Sequence, residues 1–362
     1  MDAARALAII GMAMSHFGQG VSGPAPLVRL YGLPDGRASI LFVLLAGLGV
    51  TLLASQRSPA RRRIVWSRLG FRAALLLPAG LALQLLDHGA LVILQQYALL
   101  FLVAASAVAL SDRALLGGGL AIAMLAPLLY LGAWQWQPQW FTAQTAVITD
   151  PPLMIANDLL LTGAYPVLTW TAPLLFGMWL GRQDLRLPIV RWRIVILGAV
   201  VAVTAWGASR GLVAWLGVPE TRPAWLQLVL DDPHSQMPLW LIGSMGSAAA
   251  VLGLALVAVD RWPRITWPLV AMGQLALSIY VAHLVALALW PGAFIRGDFS
   301  PAMMSVIRFS LVVAFASVLW RRFFSRGPLE AALRLPWSMR RSPKSSEGTG
   351  DRDAQTSSDP VA

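Results

Sequence analysis

The sequence has no cysteine at any of its 362 positions. Disulfide bonds, thiolate metal sites and cysteine nucleophiles are therefore excluded from any mechanism. Charged residues are also scarce, because they form 12% of the chain, about half of their share in an average soluble domain. Hydrophobic residues form 57% of the chain, and the mean hydropathy is +0.66. This composition excludes an ordinary soluble protein and is typical of a protein that crosses a membrane several times.

The formal net charge of +11 raises the question of a nucleic-acid partner. Nucleic-acid-binding proteins gather their basic residues on an exposed patch or stripe. Here the basic residues fall between hydrophobic segments instead. We therefore predict a lipid bilayer as the partner of this chain and no nucleic acid.

Apolar segments of about the length that crosses a bilayer, roughly 17 to 25 residues, recur along the chain. The predicted spans are residues 3–20, 37–55, 71–86, 90–110, 114–131, 165–180, 194–208, 239–259, 266–290 and 303–320. The sequence thus predicts an all-α bundle of about ten transmembrane helices within one domain, residues 1–326. Residues 327–341 predict a basic amphipathic segment, and the polar residues 342–362 predict a disordered cytoplasmic tail.

The distribution of basic residues predicts the orientation, because cytoplasmic loops retain Arg and Lys. If the N-terminus is cytoplasmic, all but six of the 28 basic residues fall on the cytoplasmic side. The exceptions are Arg29, Arg37, Arg210, Arg222, Arg296 and Arg308. We therefore predict that both termini are cytoplasmic.

All four histidines then lie toward the extracytoplasmic half, and His16 in the first span is the strongest candidate for chemistry. An ionisable residue inside a span is costly and is therefore a functional candidate. Met12 and Gln19 lie one turn away on the same helix face. A neutral imidazole here can accept a proton from an attacking hydroxyl or amine. The alternative is a histidine that hydrogen-bonds a neighbouring helix and fixes its packing.

His283 lies one turn after Tyr280 in the ninth predicted span. Both side chains are candidates for substrate binding, and hydrogen bonding between helices is the alternative. The other two histidines lie in predicted loops, where solvation is the simpler interpretation. His234 follows Asp231 and Asp232, which together could hold a metal, but this spacing favours a solvated loop and we predict no metal site.

Two arginines, Arg37 and Arg308, lie at the outer ends of spans, against the general bias. A guanidinium at membrane depth is tolerated when it is paired or hydrated, so Asp35, Asp158 or a substrate anion is an expected partner. Extension of the side chain to the interface is the alternative.

Two further polar groups are candidates for binding. Gln95 and Gln96 interrupt the fourth span and are candidates to line a cavity through the bundle. Arg61, Arg62 and Arg63 lie on the cytoplasmic side, where they could bind the phosphates of a cofactor, although topology alone accounts for such a cluster.

Four segments resemble a known family of bacterial membrane proteins, those similar to heparan-alpha-glucosaminide N-acetyltransferase, including its YeiB-like branch. The resemblance rests on Asp2 to Met12 leading to His16, on Asp35-Gly36-Arg37-Ala38-Ser39 with Leu45-Ala46-Gly47, on Leu160 to Pro166 followed by Trp170, Gly177, Gly181 and Arg182, and on Ala276 to His283. These segments cover most of the chain, from Asp2 to about Trp320.

This resemblance implies an acyltransferase of the bacterial plasma membrane. Such a protein takes an acetyl group from cytoplasmic acetyl-CoA and delivers it to a sugar hydroxyl or amine of an envelope glycan or lipid-linked sugar. His16 would deprotonate the acceptor, Arg37 or Arg308 would stabilise charge on the acyl oxygen, and Asp35 would orient His16 or the arginine. A transporter of small molecules or lipids is the alternative function, and a glycosyltransferase ranks last.

Overall fold

The computed structural model describes residues 1–54, 59–141 and 145–334, without the side chains of residues 59–61. These residues form fifteen α-helices and no β-strand, which confirms the all-α fold class. The helices are α1 (Asp2–Phe17), α2 (Ala25–Tyr31), α3 (Arg37–Leu53), α4 (Pro59–Leu83), α5 (Leu94–Ala107), α6 (Asp112–Trp136), α7 (Pro152–Asn157), α8 (Val167–Leu180), α9 (Pro188–Leu216), α10 (Pro238–Arg261), α11 (Pro263–Gln274), α12 (Ala276–Leu289), α13 (Pro291–Phe294), α14 (Phe299–Phe323) and α15 (Pro328–Ala332). The side chain of Arg61, residues 335–341 of the basic segment and the predicted tail 342–362 lie outside the described residues.

Several helices have the length and composition of membrane spans. Among the described residues, five qualify alone: α4 from Arg62 onward, α6, α9, α10 and α14. The number rises to seven when two bent pairs are each counted as one span, Pro152–Thr162 with α8 and α11 with α12. Helices α3 and α5 are apolar but shorter. The chain is therefore a helical membrane protein, while the number of ten spans and their orientation stay predictions.

The helices extend beyond several of the predicted spans. Helix α4 begins at Pro59, well before residue 71, and α9 runs from Pro188 to Leu216 around the predicted 194–208. The extra turns of α4 contain Arg62, Arg63 and Arg68, which end an apolar run but are good helix formers. Hydropathy thus marks the apolar part of these helices and not their ends.

The ninth predicted span is broken, because α11 and α12 meet at an angle of 70°. The break leaves the first N–H groups of α12 without partners inside the helix. Glu330 on α15 provides the missing acceptor. Its Oε1 accepts hydrogen bonds from the backbone N–H groups of Leu277 at 2.7 Å and Ser278 at 3.1 Å. A carboxylate from the C-terminal helix therefore caps α12 across the bend.

Close packing of α3 against α8 forms the centre of the bundle. A Cβ atom at Gly47 would lie 2.1 Å from the carbonyl oxygen of Leu174, and one at Gly177 would lie 2.0 Å from that of Leu44. Only glycine permits this approach of the two backbones. Trp170 on α8 is fully buried, whereas α9 packs mainly on α10 and exposes most of its surface. Helix α1 packs against α3, α11, α12 and α14, and it carries His16 into the interior.

Candidate functional site

His16 on α1 and His283 on α12 form a buried pair. The Nδ1 atom of His16 lies 3.0 Å from Nε2 of His283, and the two ring planes differ by 6°. Their exposed fractions are 9% and 5%. One of these two nitrogens donates a hydrogen bond to the other. The second ring nitrogen of His16, Nε2, is therefore available to contact a substrate. The structure therefore brings together two predicted residues that are 267 positions apart.

A polar cavity of about 370 Å³ lies beside this pair, and we call it the histidine cavity. Its walls include His16 and Met12 of α1, Asp35 from the turn before α3, Ser39 of α3, Tyr165 from the turn before α8, and His234 from the loop before α10. Two predicted residues, His16 and Asp35, thus face one space. Its walls combine these polar side chains with apolar ones.

The histidine cavity also contains His234, which the sequence placed in a solvated loop. Its Nε2 atom lies 3.8 Å from Oδ1 of Asp35, and its ring packs against Tyr165, Trp170 and Trp240 at centroid distances of 5.3 to 6.4 Å. Burial lowers the pKa of His234 below its usual value near 6.5, and the charge of Asp35 opposes this shift. Asp35 therefore faces His234 rather than His16.

The loop around His234 is held by Gln236. The Oε1 atom of Gln236 accepts hydrogen bonds from the Thr169 hydroxyl at 3.0 Å and the Trp170 indole N–H at 2.9 Å. Its Nε2 donates to the carbonyl oxygens of Ala164 at 2.9 Å and His234 at 3.1 Å. This amide anchors the loop to α8, which fixes the imidazole in the wall of the cavity.

The carboxylates near His234 are already paired. Asp231 lies 3.5 Å from Arg210, and Asp232 lies 3.5 Å from Arg222. Across the described ranges, no three His, Asp or Glu side chains form a group that could hold a metal ion. The structure therefore gives no support to the alternative of a metal site at this loop.

His88 closes the turn between α4 and α5 and lies outside the histidine cavity. Its Nδ1 accepts a hydrogen bond from the Ala90 N–H at 3.1 Å, and its Nε2–H donates to the Leu83 carbonyl at 3.0 Å. The side chain is buried, and this burial lowers its pKa below the usual value. His88 is therefore a neutral structural residue.

A second cavity of about 470 Å³ lies toward the N-terminal end of α1, and we call it the arginine cavity. Arg5 of α1, Arg72 of α4 and Arg334 after α15 line it together with Tyr97 and Tyr280. No described residue in its walls is acidic. Arg5 also forms an ion pair at 2.5 Å with Asp2, which is not part of these walls. This arrangement is suited to an anion.

Met12 contributes to the walls of both cavities. It lies one helical turn from His16 and about two turns from Arg5, so the cavities follow one another along α1. Gln95 and Gln96, which were predicted to line such a path, are buried but belong to neither wall. Their helix contributes Leu94 and Tyr97 instead.

Most of the other predicted residues lie apart from the His16–His283 pair, but the ring of Tyr280 lies 5.2 Å from that of His283. The guanidinium of Arg37 donates to the Leu33 carbonyl at 3.3 Å and does not line the histidine cavity. Asp158 is buried in a π-helical turn, Asp158–Thr162, outside both cavities. Arg62 and Arg63 are exposed at the start of α4. The Tyr280 hydroxyl accepts a hydrogen bond from the Ile93 N–H at 3.1 Å.

A third space, the lateral groove, runs between α12 and α14 and has a volume of about 640 Å³. His283 and Arg308 both lie in its walls. The imidazole pair therefore separates the histidine cavity from the lateral groove, with His16 on one side and His283 on the other.

Several of these residues were not identified from the sequence. Arg72 lies inside the predicted span 71–86. An ionisable residue within a span is a functional candidate, so the criterion that selected Arg308 also selects Arg72. Arg5 was part of the motif that leads to His16, but its cavity depends on contacts with distant helices. His234 was interpreted as a solvated loop residue, because its burial depends on the rings of Tyr165 and Trp170 from a distant segment.

Comparison with known proteins gives one family match. A family model described as "Protein of unknown function (DUF418)" matches residues 184–339, which include His234, His283 and Arg308 but not His16. No curated protein matches the chain. The chain is therefore a helical membrane protein whose C-terminal part is similar to the DUF418 family.

Proposed function

We propose that this protein is an acyltransferase of the bacterial plasma membrane, with both termini in the cytoplasm. It moves an acetyl group from acetyl-CoA to a hydroxyl or amine of a sugar at the outer face. The observation that carries the proposal is the His16–His283 pair, which borders a polar cavity one turn from Met12, the residue shared with the arginine cavity. The resemblance to the heparan-alpha-glucosaminide N-acetyltransferase-like proteins supports the same chemistry.

His16 acts as the general base in this proposal. Its Nδ1–H donates to Nε2 of His283, which leaves the lone pair of its Nε2 for the acceptor. Nε2 removes the acceptor proton while the acceptor oxygen or nitrogen attacks the thioester carbonyl carbon. The carbon–sulfur bond then breaks, and the leaving thiolate takes the proton from His16. His283 orients His16 and stabilises its charged form, the role that a carboxylate has in a catalytic triad.

The arginine cavity holds the donor in this proposal. The guanidinium groups of Arg5, Arg72 and Arg334 bind the phosphates of CoA, and exposed Arg62 and Arg63 add positive charge at the start of α4. Arg5 precedes His16 on the same helix by about 16 Å along its axis. A thioester on the long flexible arm of CoA can bridge this separation and place its carbonyl carbon near Met12.

The acceptor occupies the histidine cavity. Asp35 and His234 line it and offer one acceptor and one ring nitrogen to sugar hydroxyls. Asp35 thus binds the acceptor rather than orienting His16. Arg37 keeps its bond to Leu33 and takes no part in the step.

The proposal is tested by measuring released CoA. Because the chain has no cysteine, every free thiol in the assay comes from this CoA. The full chain in nanodiscs is incubated with acetyl-CoA and D-glucosamine, and thiol release is measured together with acetylated sugar. We expect His16→Ala to lower both by at least about 10²-fold. The control is Arg29→Gln, an exposed arginine outside both cavities, which should have wild-type activity. If the wild type releases no thiol above a protein-free sample, the enzyme proposal is wrong.

A transporter is the second candidate, and the bent helices favour it. The pairs that meet at 52° and 70° interrupt two candidate spans, as discontinuous helices do at the binding sites of transporters. Liposomes that contain the wild-type chain separate the two functions. Movement of glucosamine across the liposome without thiol release would support transport alone.

A further inference from the structure

The lateral groove has the dimensions of a site for a hydrocarbon chain. Its walls are mostly apolar and include Leu275 and Ile279 near α12 and Phe309, Val312 and Ala316 on α14. Along α14 it extends from Ser305 to Trp320, about 22 Å at the rise of an α-helix. A groove of this length and composition fits an extended chain rather than a compact solute.

The lateral groove opens toward the membrane. Helix α14 is one of the candidate spans, and Val312 and Phe315 are 66% and 71% exposed. Apolar side chains exposed on a membrane-spanning helix face lipid tails. A lipid can therefore enter the groove from this side.

Arg308 gives the lateral groove a positive charge that the protein does not neutralise. It has no hydrogen bond or ion pair within the described residues, and no described groove residue is acidic. It lies nine residues after Phe299, about 14 Å along α14 from its start. Its side chain is exposed on this face of α14, and a phosphate matches the geometry of its guanidinium. The groove thus combines an apolar channel with a site for one phosphate.

His283 connects this groove with the proposed chemistry. Its ring lies 6.2 Å from that of Phe309, the residue after Arg308, while its Nε2 contacts His16. A headgroup whose phosphate is bound at Arg308 is thereby held beside the imidazole pair. We propose that the lateral groove binds a phosphate-bearing lipid, with its chain along α14 and its phosphate on Arg308. The acceptor of the proposed function occupies the histidine cavity, on the other side of the imidazole pair, so the lipid site is a second site beside the proposed chemistry.

The test compares two probe lipids that differ only in charge, decaprenyl phosphate and decaprenol. The full chain is placed in phosphatidylcholine nanodiscs, and bound probe is measured by native mass spectrometry after titration. The variants are Arg308→Gln, which removes the charge, and Ala316→Trp, which fills the groove from an exposed position. Arg29→Gln is the matched control, because it removes an outer arginine away from the groove.

We expect the wild type and Arg29→Gln to bind decaprenyl phosphate at least about tenfold more tightly than decaprenol. Arg308→Gln should bind the two probes equally, and Ala316→Trp should bind neither. If Arg308→Gln keeps the wild-type preference, or if Ala316→Trp binds both probes normally, the lateral groove is not the lipid site.

The two proposals fail in different ways. A preference for decaprenyl phosphate that depends on Arg308, without thiol release from acetyl-CoA, supports the lipid site and overturns the enzyme. Thiol release with glucosamine but equal binding of the two probes by the wild type supports the enzyme and overturns the lipid site.

Discussion

Glu330 accepts a hydrogen bond from the Ser278 hydroxyl at 2.6 Å and another from the Ser278 backbone N–H at 3.1 Å. These two residues join the C-terminal helix α15 to the bend between α11 and α12. Because Leu333 and Arg334 follow α15 and line the arginine cavity, the same contact positions one wall of that cavity. The carboxylate therefore stabilises both the broken helix and the proposed donor site.

Glu330→Ala should lower the free energy of unfolding by about 1 to 2 kcal/mol, because it leaves partly buried N–H groups of α12 without an acceptor. Thermal unfolding in detergent measures this loss, and Glu220→Ala, at an exposed position, is the control. A single cysteine at Leu333 should also react faster with a maleimide when Glu330 is replaced. Equal melting temperatures and equal labelling rates in the two backgrounds would contradict this role.

His283 should affect catalysis through its hydrogen bond to His16. His283→Gln keeps an oxygen that can accept the Nδ1–H of His16, whereas His283→Phe keeps the ring and loses the acceptor. We expect the phenylalanine variant to lower kcat by more than about tenfold and the glutamine variant to recover most of it, with KM unchanged in both. A glutamine variant as inactive as the phenylalanine variant would indicate that His283 only packs.

Acidification should destabilise the fold through His88 and His234. Burial lowers the pKa of both below the usual value near 6.5, so below that pH the unfolded chain binds protons that the folded chain does not. Their contribution is complete above about pH 6.5 and falls, by at most about 1.4 kcal/mol per pH unit for each histidine, until the folded state is protonated.

Melting temperatures at about pH 7.5 and pH 5 measure this effect. His88→Gln should show a smaller decrease between the two than the wild type, since one of the two groups no longer titrates. An unchanged or larger decrease in the variant would show that His88 is not held neutral by the fold.

The orientation can be tested with single cysteines, because the natural chain offers no competing thiol. Thr221 follows α9 and Ser325 follows α14, and both are exposed. In intact cells a membrane-impermeant maleimide should label Thr221→Cys and should label Ser325→Cys only after lysis, because α9 and α14 are predicted to cross in opposite directions. The reverse pattern would place the termini outside.

The sequence predicted the fold class well, because apolar length and composition are local properties. It also selected His16, His283 and Arg308 as ionisable residues within predicted spans, and the structure brings His16 and His283 into contact. It did not predict the 70° bend, since no proline separates Gln274 from Ala276 and the cap comes from Glu330, more than fifty residues later. The bend and its cap therefore depend on contacts between distant segments.

The candidate site was predicted only in part for the same reason. Asp35 was expected to orient His16 or an arginine, yet the structure places His234 between aromatic rings and next to Asp35. The anchoring of that loop by Gln236 has no counterpart in local sequence. Charge inside a span is visible in a sequence, whereas the partner of that charge is a property of the fold.

Because Met12 lies in the walls of both cavities, its position affects where the membrane voltage would fall within the protein. When water enters two cavities from opposite faces of a membrane, most of the transmembrane voltage falls across the short barrier between them. A charged group that passes Met12 would then gain or lose about 2.3 kcal/mol per unit charge for every 100 mV. In the proposed reaction the acetyl group is neutral and would pass without this energy, while the phosphates of its carrier would stay on their own side. The proposed transfer would therefore be independent of the membrane potential.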